Sequence, residues 1–142
     1  MGLYIHSESS FEYGYSYSGL HYIRWMAHRS IGGTMDFSEF MESQRCENEE
    51  YIKTRDKFPN LLWHSDCDGT YTLRGKVEPF DTSGDLLHGN SRGLLEELKF
   101  IKEELPKLND PEISERYWYV FDMFYNVVKD TVENCNGKIA FN

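Results

Sequence analysis

The chain has 142 residues, 24 acidic against 15 basic, for a formal net charge of -9, so its long-range field repels nucleic-acid phosphates and anionic membrane surfaces. That length predicts a single domain over residues 1–142, and 39% hydrophobic with 15% aromatic residues excludes a disordered chain. No apolar run is long enough for a transmembrane helix; Cys46, Cys67 and Cys135 are scattered without a CxxC, and no secretory segment opens the chain, which predicts a reduced cytosol.

In chain order, Leu3-Tyr4-Ile5 reads as a short strand, and Phe11, Tyr13, Tyr15 and Tyr17 repeat with the period of a second one. Helical spacing begins at Leu20 and continues through Ile23, Ala27 and Ile31, with Ser18 as the expected N-cap and Gly32-Gly33 as the stop. That helix carries His21, Arg24, His28 and Arg29, a high basic density for an acidic protein.

Asp36 with Glu39 makes a capping-box start for a short helix through Phe37, Phe40 and Met41. The charged stretch from Glu42 to Lys57 reads as a solvated helix or loop, with Tyr51 and Ile52 as its apolar pair. After Pro59-Asn60, residues Thr70 to Val77 read as a strand, and Glu78 to Asn90 as a loop. Ser91 is the expected cap of a helix with Leu94, Leu95, Leu98, Ile101 and Leu105 on its apolar face, stopped by Pro106. Asp110-Pro111 then opens a long aromatic helix through Tyr117, Phe121, Phe124 and Val128 to Asn136-Gly137, before a final strand at Lys138 to Phe141.

These elements predict an α+β fold: a small, mostly antiparallel sheet packed against an antiparallel pair of long C-terminal helices plus the N-terminal helix. Trp118 and Tyr119 lie beside the main stripe of the last helix, a surplus face that a homo-oligomer would bury.

Two patches hold the chemistry. The first is His64-Ser65-Asp66-Cys67-Asp68-Gly69-Thr70, placed in a turn. Its DxDGT resembles the nucleophile loop of haloacid-dehalogenase-type phosphatases, in which one carboxylate attacks phosphorus beside Mg²⁺. That loop normally follows the first strand of a large doubly wound domain, whereas here it sits mid-chain without room for the companion motifs. An EF-hand fails, because the glycine comes fourth from Asp66 rather than sixth and the closing twelfth residue is Val77. His64, Asp66, Cys67 and Asp68 could ligate a transition metal with a distant His6 or His88, although no partner spacing supports zinc, so the metal question stays open. The plain structural reading is commoner: the aspartates bond a tight turn, Cys67 is buried and Gly69 takes positive φ.

The second patch is Tyr15-Ser16-Tyr17-Ser18 entering the first helix, where free backbone N–H groups and the positive dipole end suit an anion. The tyrosines can stack on a base, while His21 and Arg24 follow at helical spacing on one face. The competing reading is a capped helix with solvated arginines, since caps outnumber sites. No GxGxxG, P-loop, HExxH or GxSxG occurs.

On Met1-Gly2-Leu3, the HSDCDG stretch and Ile139-Ala140-Phe141, the chain resembles a loose group of small phage and bacterial proteins of unassigned activity. That resemblance implies a viral or prophage accessory role in the host cytoplasm, such as counter-defence by sequestering a host signalling nucleotide. It carries no catalytic residues.

The reading that follows is a binding module, leaning away from an enzyme and needing no cofactor, for a small anionic nucleotide-like ligand. Tyr15, Ser16, Tyr17, Ser18, His21, Arg24 and Arg29 would stack and neutralise, and His64, Asp66 and Asp68 would recognise ribose hydroxyls or polar edges. The alternatives are a metal-dependent phosphoesterase built on Asp66, Asp68 and His64, and an acidic interaction protein that mimics nucleic acid.

Overall fold

The structure is a computed structural model that describes residues 2–7, 12–61, 88–134 and 139–141. Five α-helices follow one another among them: α1 (Tyr17–Ser30), α2 (Phe37–Arg45), α3 (Glu49–Lys57), α4 (His88–Glu104) and α5 (Glu115–Asn134). Near the chain ends the backbone pairs as β1 (Gly2–Ser7), β2 (Glu12–Ser16) and β3 (Ile139–Phe141), in the order β2-β1-β3, both pairings antiparallel.

The α+β expectation is overturned. Across residues 20–61 and 92–133, where the described core lies, there is no strand, and every described core residue comes from a helix or from its adjoining turn. The apolar faces that were expected to need a sheet are covered by another helix instead. α1 buries almost its whole circumference: Leu20, Ile23, Arg24, Trp25, Met26, Ala27 and His28 are all at most 2% exposed. A helix buried all round is a central element, and α2, α3, α4 and α5 all contact it. The class is therefore helical, helix packed on helix.

Local signals explain most boundaries. The capping box at α2 is present: the Asp36 carboxylate accepts from the Glu39 N–H, and Glu39 accepts from the Asp36 N–H. α1 ends in a Schellman arrangement, with Gly33 N–H on the His28 carbonyl, Gly32 N–H on the Arg29 carbonyl, and Gly32 at φ 86°.

Other expectations need correction. Ser18 lies inside the first turn of α1 rather than at its cap, and Ser91 lies inside α4, which starts three residues earlier at His88. Pro106 does not stop the chain at once, because a 3-10 turn carries Leu105–Leu108. Asp110 does not cap α5, which begins at Glu115; its carboxylate accepts from the Glu112 N–H in a tight turn and binds Arg29. The Glu42–Lys57 stretch is not wholly solvated, since α3 turns Tyr51 and Thr54 into the core. The expected turn at His64–Gly69, the Thr70–Val77 strand and the Asn136-Gly137 cap lie outside the described residues.

Candidate functional site

The polar residues of α1 are the centre of the site. Arg24 is fully buried, and its Nε–H donates to the Leu61 carbonyl at 3.0 Å. Its Nη1 donates to His21 Nδ1 at 3.2 Å, so that ring nitrogen is an acceptor and the imidazole is neutral. Burial first, and the Arg24 charge second, hold His21 well below the ordinary histidine range, at about 4.

One turn further on, His28 is pinned at both nitrogens. The Met35 N–H donates to Nε2 at 3.1 Å, which leaves the proton on Nδ1 to donate to Thr54 Oγ1 at 3.2 Å. The Thr54 hydroxyl passes the chain on to the Glu50 carbonyl at 3.1 Å. Burial pushes the His28 pKa down as well, with Glu50 opposing and Arg29 adding to the shift.

Arg29 makes a bidentate pair with Asp110, Nε to Oδ2 at 2.6 Å and Nη2 to Oδ1 at 3.0 Å, and its Nη1 donates to the Met35 carbonyl at 3.1 Å. The same carbonyl accepts from Trp25 Nε1 at 3.0 Å. Thus α1 side chains satisfy both peptide groups of Met35, and the approach to α2 is fixed by them.

Of the residues expected to bind a ligand, His21 and Arg24 are in direct contact. Arg29 stands eight residues beyond His21, about 12 Å along the helix at 1.5 Å per residue, with its charge answered by Asp110. Tyr15 and Ser16 belong to the backbone of β2, and Tyr17 and Ser18 to the first turn of α1, so the two segments run directly into one another. His64, Asp66 and Asp68 lie outside the described residues. Leu61, the last described residue before them, is the one whose carbonyl Arg24 holds.

Glu97, on α4, is a further polar residue drawn inward. It is half-buried, and both carboxylate oxygens accept from the Asn60 N–H, at 2.9 and 3.1 Å. Burial raises its pKa to about 7 against the lowering effect of those bonds. Gly93, one turn before Glu97, lets Asn60 come close, because a Cβ there would fall on its side chain. The spacing of Gly93 and Glu97 on one helix face was the only hint in the sequence.

Among the described residues no group of three or more His, Cys, Asp or Glu side chains could hold a metal ion. No described helix is long and apolar enough to cross a membrane. The sequence matches no family model, and comparison with curated proteins and with solved structures returns no match.

Proposed function

We propose that this chain is a binding module for a small anionic, nucleotide-like ligand, in the accessory, counter-defence role that its resemblance to small phage and bacterial proteins implies. The observation that supports it is the Arg24–Leu61 hydrogen bond at 3.0 Å. It ties the α1 patch to Leu61, which precedes His64 by three positions in the sequence.

In this reading the parts divide the work. The first turn of α1 carries no acidic side chain, which leaves its N–H groups and dipole to favour an anion. Tyr15 and Tyr17 stack on the base and Ser16 and Ser18 add hydroxyl donors. His21, neutral and lodged against Arg24, offers a hydrogen bond without adding charge, while Arg24 supplies positive potential from a buried position. His64, Asp66 and Asp68 are the residue types that would recognise ribose hydroxyls or polar edges.

Thermal melting against a panel of cyclic and ADP-ribose-type nucleotides, with and without Mg²⁺, tests this, with mass analysis of the ligand after release. A bound ligand at about 100 times its Kd stabilises by about 2.7 kcal/mol, and it should be recovered intact. The shift should vanish in His21→Ala. Cleaved ligand would convert the protein into the phosphoesterase, and silence across the panel would remove the nucleotide reading.

A further inference from the structure

A groove of about 390 Å³ runs along α2, lined by Met35, Ser38, Glu39, Glu42, Cys46 and Asn48 over a floor at the buried Ser43. Its volume falls within the range of natural ligand clefts. Both ends are fixed. Met35 is held by His28, Trp25 and Arg29, and at the other end the Asn48 N–H donates to the Ser43 carbonyl while its side chain caps α3 through the Glu50 N–H. The floor is tied down too, since Ser43 Oγ donates to the Phe40 carbonyl at 2.6 Å.

A groove held at both ends and along its floor is preformed, so an occupant loses little to ordering it. Its lining has a particular chemistry: a thioether, a thiol, two hydroxyls and an amide, beside two carboxylates and no basic side chain. Glu39 spends one oxygen on the helix cap, and Glu42 makes no ion pair among the described residues. A long side chain with an apolar stem and a cationic head matches this pattern, the stem lying over Met35 and Ser43 and the head reaching the carboxylates.

We propose that the α2 groove is a docking site for a partner protein that inserts an arginine or lysine from an exposed basic segment. The net charge of -9 favours the same partner class, because it draws basic surfaces in and speeds their encounter. A second copy of this acidic chain is a poorer occupant on the same ground.

The probe is a capped nonapeptide of leucine, lysine and arginine, titrated calorimetrically into the full chain, beside a counterpart with norleucine and citrulline in place of the cations. The basic peptide should bind and the neutral one should not. Glu42→Gln should weaken binding about tenfold, the loss of one charge-assisted contact, while Glu103→Gln on the exposed face of α4 removes the same formal charge and leaves affinity unchanged. Ser38→Trp, an exposed position on α2, should block the groove without disturbing the fold, as a preserved melting temperature would verify. Equal loss in Glu42→Gln and Glu103→Gln would reduce the attraction to diffuse charge and overturn the proposal. So would undiminished binding in Ser38→Trp, or self-association of the free protein that Glu42→Gln abolishes.

Discussion

α1 and the α4–α5 pair are both buried helical surfaces packed through apolar side chains, yet α1 adds buried hydrogen bonds to its neighbours. α4 and α5 meet through apolar side chains, Leu94, Leu98 and Ile101 on one helix and Phe121, Phe124 and Val128 on the other, all fully or almost fully buried. α1 is equally buried but also reaches its neighbours through named hydrogen bonds: Arg24 to Leu61, His28 to Thr54 and Met35, and Arg29 to Asp110. Dispersion and hydrophobic burial tolerate a change of shape at constant volume, whereas a buried hydrogen bond fails as soon as one partner is lost. The two regions should therefore answer the same substitutions differently.

The largest expected effect is at Arg24. Arg24→Ala opens a cavity and strips the Leu61 carbonyl of its donor, and should cost about 3–5 kcal/mol in urea unfolding, comparable with Leu98→Ala. Methionine separates the regions. Leu98→Met should cost less than about 1.5 kcal/mol, because the apolar volume is kept. Arg24→Met keeps the stem but removes the guanidinium donor from the Leu61 carbonyl, and should cost about 1–3 kcal/mol. If Arg24→Met is as stable as the parent, desolvation of the guanidinium cancels its bonds and the comparison breaks.

Glycines sharpen the same contrast. At Gly33 an added Cβ would fall on the His28 ring, which is held at both nitrogens and cannot swing aside, so Gly33→Ala should cost about 1–3 kcal/mol. At Gly93 the Cβ meets the far end of the Asn60 side chain, which can rotate at the cost of its hydrogen bond to Glu97, while alanine is favoured over glycine in a helix by about 1 kcal/mol. Gly93→Ala should come out near neutral in the same unfolding assay.

That difference also marks what the sequence made legible. Periodicity located α4 and α5 and much of their apolar faces, and the Asp36/Glu39 pair and Gly32-Gly33 marked real helix ends, because those signals are local. The burial and long-range partners of Arg24, His28 and Arg29 were not legible, for a physical reason. A charged residue at helical spacing looks the same whether it faces water or a carbonyl 37 positions away, and Arg24 finds Leu61 at that separation. Arg29 finds Asp110 at a separation of 81, which also removes Asp110 from its expected role as a cap. The α+β expectation rests on the short period-2 stretches near the chain ends and after Gly69, whereas α1, buried nearly all round, supplies the inner partner that the apolar faces of α4 and α5 need. Of the candidate site, the contact between His21 and Arg24 was readable from their i, i+3 spacing; their burial was not.

Acid and alkali should divide the two regions again. His21 and His28 are acceptors in the neutral form, with folded pKa values below the unfolded 6.5, so the unfolded chain binds their protons first. Their stabilisation is complete above pH 6.5 and is lost as pH falls towards about 4, the folded value of His21. Glu97 has the opposite sign. Its folded pKa of about 7 exceeds the unfolded 4.5, so its contribution is present below pH 4.5 and is lost as pH rises through about 7. Between those limits the slopes oppose one another and flatten the curve. Melting temperature against pH should show a shallower acid limb in His21→Gln, the remainder belonging to His28, and should lose its decline near neutrality in Glu97→Gln, with each variant leaving the other limb in place.

The smallest effect tests strain in the turn between α2 and α3. Glu47 holds a left-handed backbone at φ 47°, as does Asn109 at φ 49°. Asparagine visits that region readily, whereas for glutamate it costs about 1–2 kcal/mol. Its ion pair with Arg55, 3.5 Å between an exposed carboxylate and a half-buried guanidinium, is a surface-type contact and returns little. Glu47→Gly removes the strain but adds freedom to the unfolded chain worth about 0.5–1 kcal/mol, so a net gain below about 1 kcal/mol is expected, against almost none for Asn109→Gly. A loss of stability in Glu47→Gly would mean that the Glu47–Arg55 contact holds α3 against α2. The end wall of the groove at Cys46 and Asn48 would then depend on a salt bridge, and its affinity for a basic peptide would fall with rising ionic strength even when Glu42 is replaced.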